Sequence, residues 1–140
     1  MNDVPLNVNT IPLSEIKKAK LLRIEVIEGQ NKGEFWTINA CGLFEGDEFI
    51  GRTRRDGCVL FGSQEYSDDL REFYNDIIIK DEDETSGIGK RHFIIKYNTE
   101  THNYYIRDLG DGNGTFVKIE TPLLLKHGYI ISYGDSHMVV

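Results

Sequence analysis

The stretch from residue 89 to residue 115, GKRHFIIKYNTETHNYYIRDLGDGNGT, constrains the chain more than any other. Residues 92–97 and 104–108 are runs rich in aromatic and β-branched side chains, and a polar turn over 98–103 separates them. Two such runs about a polar turn specify a β-hairpin. Lys90-Arg91-His92 leads into the first strand, and the loop Gly110-Asp111-Gly112-Asn113-Gly114-Thr115 follows the second. The start and the finish of a hairpin are neighbours in space. This unit therefore presents a cationic loop and a glycine-rich loop at one end.

The remaining segments read as further short strands. Over residues 22–28, Leu22, Ile24 and Val26 alternate with Arg23 and Glu25, the period of a half-buried strand. The turn Gly29-Gln30-Asn31-Lys32-Gly33 joins it to a second strand at 34–38, so these two also form a hairpin. Residues 39–46 are mixed in character, and a third strand is expected at 49–52. Strands are also expected at 58–61, 76–79, 116–119, 123–125, 129–133 and 137–140. Residues 53–74 read as a long loop insertion holding the 58–61 strand, with one helical turn at 68–73. Residues 1–20 read as an N-terminal arm with one helical turn at 14–20 capped by Ser14, leaving a domain over 21–140. Many short strands, glycine turns and no long amphipathic helix specify an all-β sandwich.

Composition narrows the function. A formal net charge of -7, with acidic runs at 68–69 and 81–84, opposes binding to a nucleic-acid backbone, which requires cations to displace counterions. No apolar run reaches the ~20 residues of a membrane helix, and the N-terminus lacks a signal-peptide pattern. The two cysteines, Cys41 and Cys58, sit in apolar segments and read as reduced, buried thiols. The expected setting is intracellular, cytoplasmic or nuclear. Zinc-ligand spacing, a nucleophile elbow and a Walker loop are all missing, so no enzymatic activity and no cofactor are expected.

Taken in order, Gly51-Arg52, Asn75-Asp76-Ile77, Lys90-x-His92, Asp108-Leu109-Gly110, Asn113-Gly114-Thr115-Phe116-Val117 and His127-Gly128-Tyr129-Ile130-Ile131 resemble the forkhead-associated (FHA) domain. The resemblance implies a β-sandwich of about eleven strands with ligand loops at one end. It implies a protein partner, bound as a phosphothreonine peptide, and no catalysis. It assigns the phosphate contact to Arg52, a neighbouring cation to Lys90 and the hold on the ligand's backbone to Asn113. His92, Gly114 and Thr115 correspond to residues that brace the loops.

Two glycines depart from the family's pattern. Gly89 stands where the family has its phosphate-binding serine, and Gly112 where it has a second hydroxyl. Each lost charge-assisted hydrogen bond is worth on the order of 1.5–3 kcal/mol. Asp111 also replaces a serine and brings a carboxylate toward the anion. Backbone amides at Gly89 and Gly112 are the expected substitutes, since glycine-rich turns form anion nests. Arg54, Arg55, Ser86 and Arg91 are auxiliary candidates. The alternative is a degenerate domain that serves as a phosphate-independent structural subunit of a larger assembly. A calcium site at the 111–114 loop is the remote option, because strands flank it and Leu109 stands at its first ligand position.

Overall fold

The computed structural model describes residues 11, 13–45, 48–49, 57–70, 73–80 and 87–140. A single helix, α1 (Leu13–Lys18), precedes the strands. It carries Glu15 in its first turn and Lys17 and Lys18 in its last, which suits the helix dipole. Its start at Leu13 places Ser14 inside the helix rather than at the cap. Six residues do not hold a helix by themselves. Tertiary contacts do so here: the Tyr104 hydroxyl donates to the Lys20 carbonyl at 2.6 Å, and Glu15 Oε2 lies 3.1 Å from His102 Nδ1.

Strands β1 (Leu22–Glu25), β2 (Phe35–Asn39), β3 (Gly42–Glu45) and β4 (Glu48–Phe49) form one antiparallel sheet in chain order. The first hairpin stands where the alternation of residues 22–28 places it, with Leu22 opposite Ile38 and Ile24 opposite Trp36. Strand β3 falls in the stretch that reads as mixed. The turn before it is made by Ala40 and Cys41, both buried, and the Asn39 carboxamide oxygen accepts the N–H groups of Cys41 and Gly42 at 2.9 and 3.2 Å. A buried apolar turn carries none of the polar punctuation by which turns are recognised.

The second sheet has the order β6-β5-β7-β8, from β5 (Cys58–Gly62), β6 (Ile77–Ile78), β7 (Phe93–Asn98) and β8 (Asn103–Asp108). Strand β5 is buried at every position. Its continuous Cys-Val-Leu-Phe run suits a strand covered on both faces. It pairs antiparallel with β7 and parallel with β6. Parallel neighbours need a crossover of about a dozen residues or more. Residues 63–76 supply it, with one 3-10 turn at Asp68–Leu70. Much of the apparent insertion is therefore the connection this topology requires.

The two sheets face each other across a core of Ile38, Val59, Phe61, Ile77 and Ile95, with Leu22, Ile24, Trp36 and Phe93 packed around it. Burying each large apolar side chain contributes about 1.5–3 kcal/mol. The Phe61 and Phe93 rings stack at 4.3 Å, and Trp36 meets Phe61 edge-on at 6.4 Å. Cys58, Leu60 and Ile94 form a second cluster on the other face of the sheet, against Leu109.

A third sheet is the hairpin of β9 (Ile130–Tyr133) and β10 (Ser136–Val139), which turns at Gly134 and pairs with no other strand among the described residues. Residues 116–119 and 123–125, expected as strands, are not strands. Their apolar side chains lie exposed, and an apolar run that pairs with no strand among the described residues gains no ladder. The described residues hold ten strands and almost no helix, an all-β fold. No helix among them is long and apolar enough to cross a membrane.

Candidate functional site

Strand β7 begins and strand β8 ends at the same end of the second sheet, where Phe93 is opposite Asp108. The loops beyond them, residues 87–92 and 109–115, consequently meet. His92 sits between them. Its Nδ1 accepts the Gly89 N–H at 2.9 Å, and its Nε2 lies 2.9 Å from the Gly114 carbonyl. An imidazole whose Nδ1 accepts carries its proton on Nε2. His92 thus donates to Gly114 while accepting from Gly89, and one ring ties both loops together. The Asn113 N–H adds a direct bond to the Gly87 carbonyl at 3.0 Å.

The outgoing loop is shaped from within by Asp108. One carboxylate oxygen accepts the Gly110 N–H at 2.9 Å and the other accepts the Thr115 hydroxyl at 2.7 Å. Gly110 and Gly114 have φ of 74° and 95°, in the left-handed region that glycine adopts without strain. The Asp-Leu-Gly and Asn-Gly-Thr pieces of the sequence are therefore one closed turn.

The cationic turn is held from below. The buried Asn75 amide donates to the Lys90 carbonyl at 2.7 Å and to the Gln64 carbonyl at 3.0 Å. A Cβ on Gly62 would lie 2.1 Å from the Lys90 carbonyl oxygen, so glycine is required where β5 passes beneath this turn. Neither Gly62 nor the anchoring role of Asn75 is singled out by the sequence. The available signal is the glycine that ends the Cys-Val-Leu-Phe run and the asparagine that opens Asn-Asp-Ile.

The site residues named from the sequence divide as follows. Lys90, Gly112 and Asn113 are exposed on the two joined loops, and Asp111 is exposed beside them. Among the described residues nothing pairs with the Lys90 ammonium or accepts from the Gly112 N–H. Gly89 is buried; its N–H goes to His92 and its carbonyl accepts from the Ser63 N–H at 3.0 Å. The Gly89 amide expected to face a ligand is thus spent inside the loops. Arg91 is half-buried, its guanidinium 5.8 Å from the Phe73 ring centroid, and its N–H donates to Asp111 Oδ2 at 3.0 Å. Arg52, Arg54, Arg55 and Ser86 lie outside the described residues.

Gly89 and Gly112, the two positions where the resemblance leads one to expect hydroxyls, are sterically required to be glycine in this arrangement. A Cβ on Gly89 would lie 1.5 Å from the Asp111 carbonyl oxygen, and one on Gly112 would lie 2.4 Å from His92 Nδ1. The loops have closed on the volume that two side chains would take. The exposed residues Lys90, Asn113 and Gly112 carry an ammonium, a carboxamide and a backbone N–H, groups of the kind that hold an anion and a peptide backbone. Among the described residues no three His, Cys, Asp or Glu side chains are grouped to share a metal ion.

A family model described as FHA domain matches residues 59–134, more than half of the chain and both of these loops. No curated protein and no solved structure matches the chain.

Proposed function

We propose, from the premise that the chain belongs to the forkhead-associated family of phosphopeptide-binding interaction modules, that it recognises a phosphothreonine peptide of a protein partner through the joined 87–92 and 109–115 loops. The observation that carries this reading is the His92 bridge. It keeps Lys90 and Asn113 on one end of the sheet, although more than twenty residues separate them in sequence. In this reading Lys90 attracts the phosphate and Asn113 holds the ligand's backbone. The Gly112 N–H stands in for a missing hydroxyl. Arg52 enters on the family correspondence alone.

A monoanionic or uncharged group gains little from one ammonium in water. A phosphate carrying nearly two charges gains more, and gains it through charge-assisted bonds. The discrimination expected is modest, because two family hydroxyls are absent. Binding of a phosphothreonine peptide at least about fivefold tighter than its unphosphorylated twin, with Arg52→Ala abolishing the difference, is the expected outcome of a titration calorimetry pair. Equal affinities would end this reading.

One observation favours a second reading. The closed packing at Gly89 and Gly112 is what a module that has given up phosphate would show. Here the domain docks as a phosphate-independent subunit through another surface. Arg52→Ala and Lys90→Ala would then leave partner capture from extract unchanged. Phosphatase treatment of the partner would also have no effect.

The setting we propose is intracellular, cytoplasmic or nuclear. It is supported by two cysteines kept in the interior at 1% exposure each.

A further inference from the structure

Asp111 lies inside the ligand end. Its Oδ2 accepts the Arg91 N–H at 3.0 Å, in the turn that carries the Lys90 and Arg91 side chains. A backbone N–H in an exposed turn that bears two cationic residues is able to hold an anion. In this chain an anion already occupies it, supplied by the neighbouring loop.

The surrounding geometry keeps the carboxylate there. The Asp111 carbonyl packs against Gly89 so closely that no side chain fits between them. Two residues on, the Asn113 N–H is bonded to Gly87. The Asp111 backbone is thereby clamped to the cationic loop, and its side chain has only a short gap to span. The bond itself is exposed, so the carboxylate can leave without disturbing the interior.

We propose that Asp111 is a built-in competitor for the ligand's phosphate. Its carboxylate holds the Arg91 amide and offsets the local positive charge until a stronger anion displaces it. This rests on the phosphopeptide reading and adds a rule for selectivity. A carboxylate on a partner carries no more charge than Asp111 does, and Asp111 acts at the high effective concentration of a tethered group. An aspartate or glutamate in a partner therefore does not open the site. A phosphate, with nearly two charges and three acceptor oxygens, does.

The experiment follows the Arg91 and Gly112 amide resonances of the full chain during titration with inorganic phosphate and, separately, with acetate. Asp111→Ala should bind phosphate at Arg91 roughly tenfold more tightly than the unchanged chain. Acetate should move the Arg91 resonance in Asp111→Ala and not in the unchanged chain. Asp111→Asn keeps the size and an acceptor oxygen, guards against a folding defect, and should fall between the two. Equal phosphate affinity in all three chains, or a phosphate response that spares Arg91, overturns the proposal. A second arm pairs an oriented phosphothreonine peptide library with its unphosphorylated counterpart. If Asp111→Ala gains phosphate binding at Arg91 and neither chain retains phosphopeptides, the competitor stands and the peptide reading falls. If both chains prefer phosphopeptides by the same factor, the peptide reading stands and the competitor falls.

Discussion

Nδ1 of His92 accepts the Gly89 N–H at 2.9 Å, and a Cβ on Gly112 would fall 2.4 Å from that same nitrogen. The imidazole fills the space between the 87–92 and 109–115 loops. The glycines and the closed loops imply each other: a side chain at Gly112 would force the ring away, and one at Gly89 would force away the Asp111 backbone. Gly89 and Gly112 thus do not leave gaps in an open pocket.

Replacement of His92 by alanine removes the acceptor for Gly89 and the donor for Gly114 together. Two part-buried bonds lost at once, leaving backbone groups without their partner, should lower the unfolding free energy by about 1–3 kcal/mol. Urea denaturation measures this. Amide exchange should accelerate at Gly89. Nitrogen chemical shifts of the unchanged protein should also report His92 with its proton on Nε2; the opposite tautomer would remove the bridge.

A serine at position 89, where the resemblance leads one to expect it, should harm the domain. The new Cβ would sit 1.5 Å from a backbone oxygen, which cannot swing aside as a flexible side chain would. Gly89→Ser is expected to destabilise the fold by about 1–3 kcal/mol with no gain in phosphopeptide affinity. A stable Gly89→Ser variant with tighter phosphopeptide binding would show that the loops open readily and that the closed packing is not the resting state.

Legibility in the sequence followed how local each feature is. The β7–β8 hairpin was legible because Phe93, Ile95 and Tyr97 recur at the strand period across a polar turn, and β5 because four consecutive apolar residues suit burial on both faces. Strand β3 was hidden by the buried turn at Ala40 and Cys41. The opposite error arose at 116–119 and 123–125, where apolar runs look like strands but pair with no strand among the described residues. Within the candidate site, Lys90, Asn113 and His92 stood out because motif pieces surround them. Asn75 and Gly62 act on a carbonyl fifteen or more residues away, and nothing in their own neighbourhoods announces that.

Lys90 and Asn75 should separate binding from stability. The Lys90 side chain is exposed, whereas its carbonyl is gripped by the buried Asn75 amide at 2.7 Å. Lys90→Ala should leave stability within about 0.5 kcal/mol and weaken phosphopeptide binding severalfold, more so at low salt. Asn75→Ala should cost about 1–3 kcal/mol, because the Gln64 carbonyl loses its Asn75 donor and the Lys90 carbonyl keeps only the Gln64 N–H at 3.2 Å. Paired denaturation curves and titrations check both. A Lys90→Ala chain that unfolds as easily as Asn75→Ala would place the ammonium in the fold rather than at the ligand.

Tyr104 sets how the fold responds to alkali. Its hydroxyl donates to the Lys20 carbonyl at 2.6 Å, which a phenolate cannot do. Burial, and next the neighbouring Tyr97, push its pKa up from 10.0 to about 12. Tyr97 is raised in the same direction, by burial first and then by the Glu15 charge. In the unfolded chain both phenols ionise near the ordinary value of about 10. Below that pH both states hold the protons and stability is unchanged. As pH rises from about 10 to 12, the unfolded chain releases protons that the folded chain retains, so stability falls. Tyr104 is only partly shielded from solvent, and its share should be about 1–2 kcal/mol after screening. Tyr104→Phe should cost about 1 kcal/mol at neutral pH through the lost hydrogen bond, and should fall less steeply across that alkaline window. Urea denaturation at neutral and alkaline pH, with ultraviolet titration of the tyrosinates, measures both effects. Parallel stability curves for the two chains would mean that Tyr104 ionises equally readily folded and unfolded.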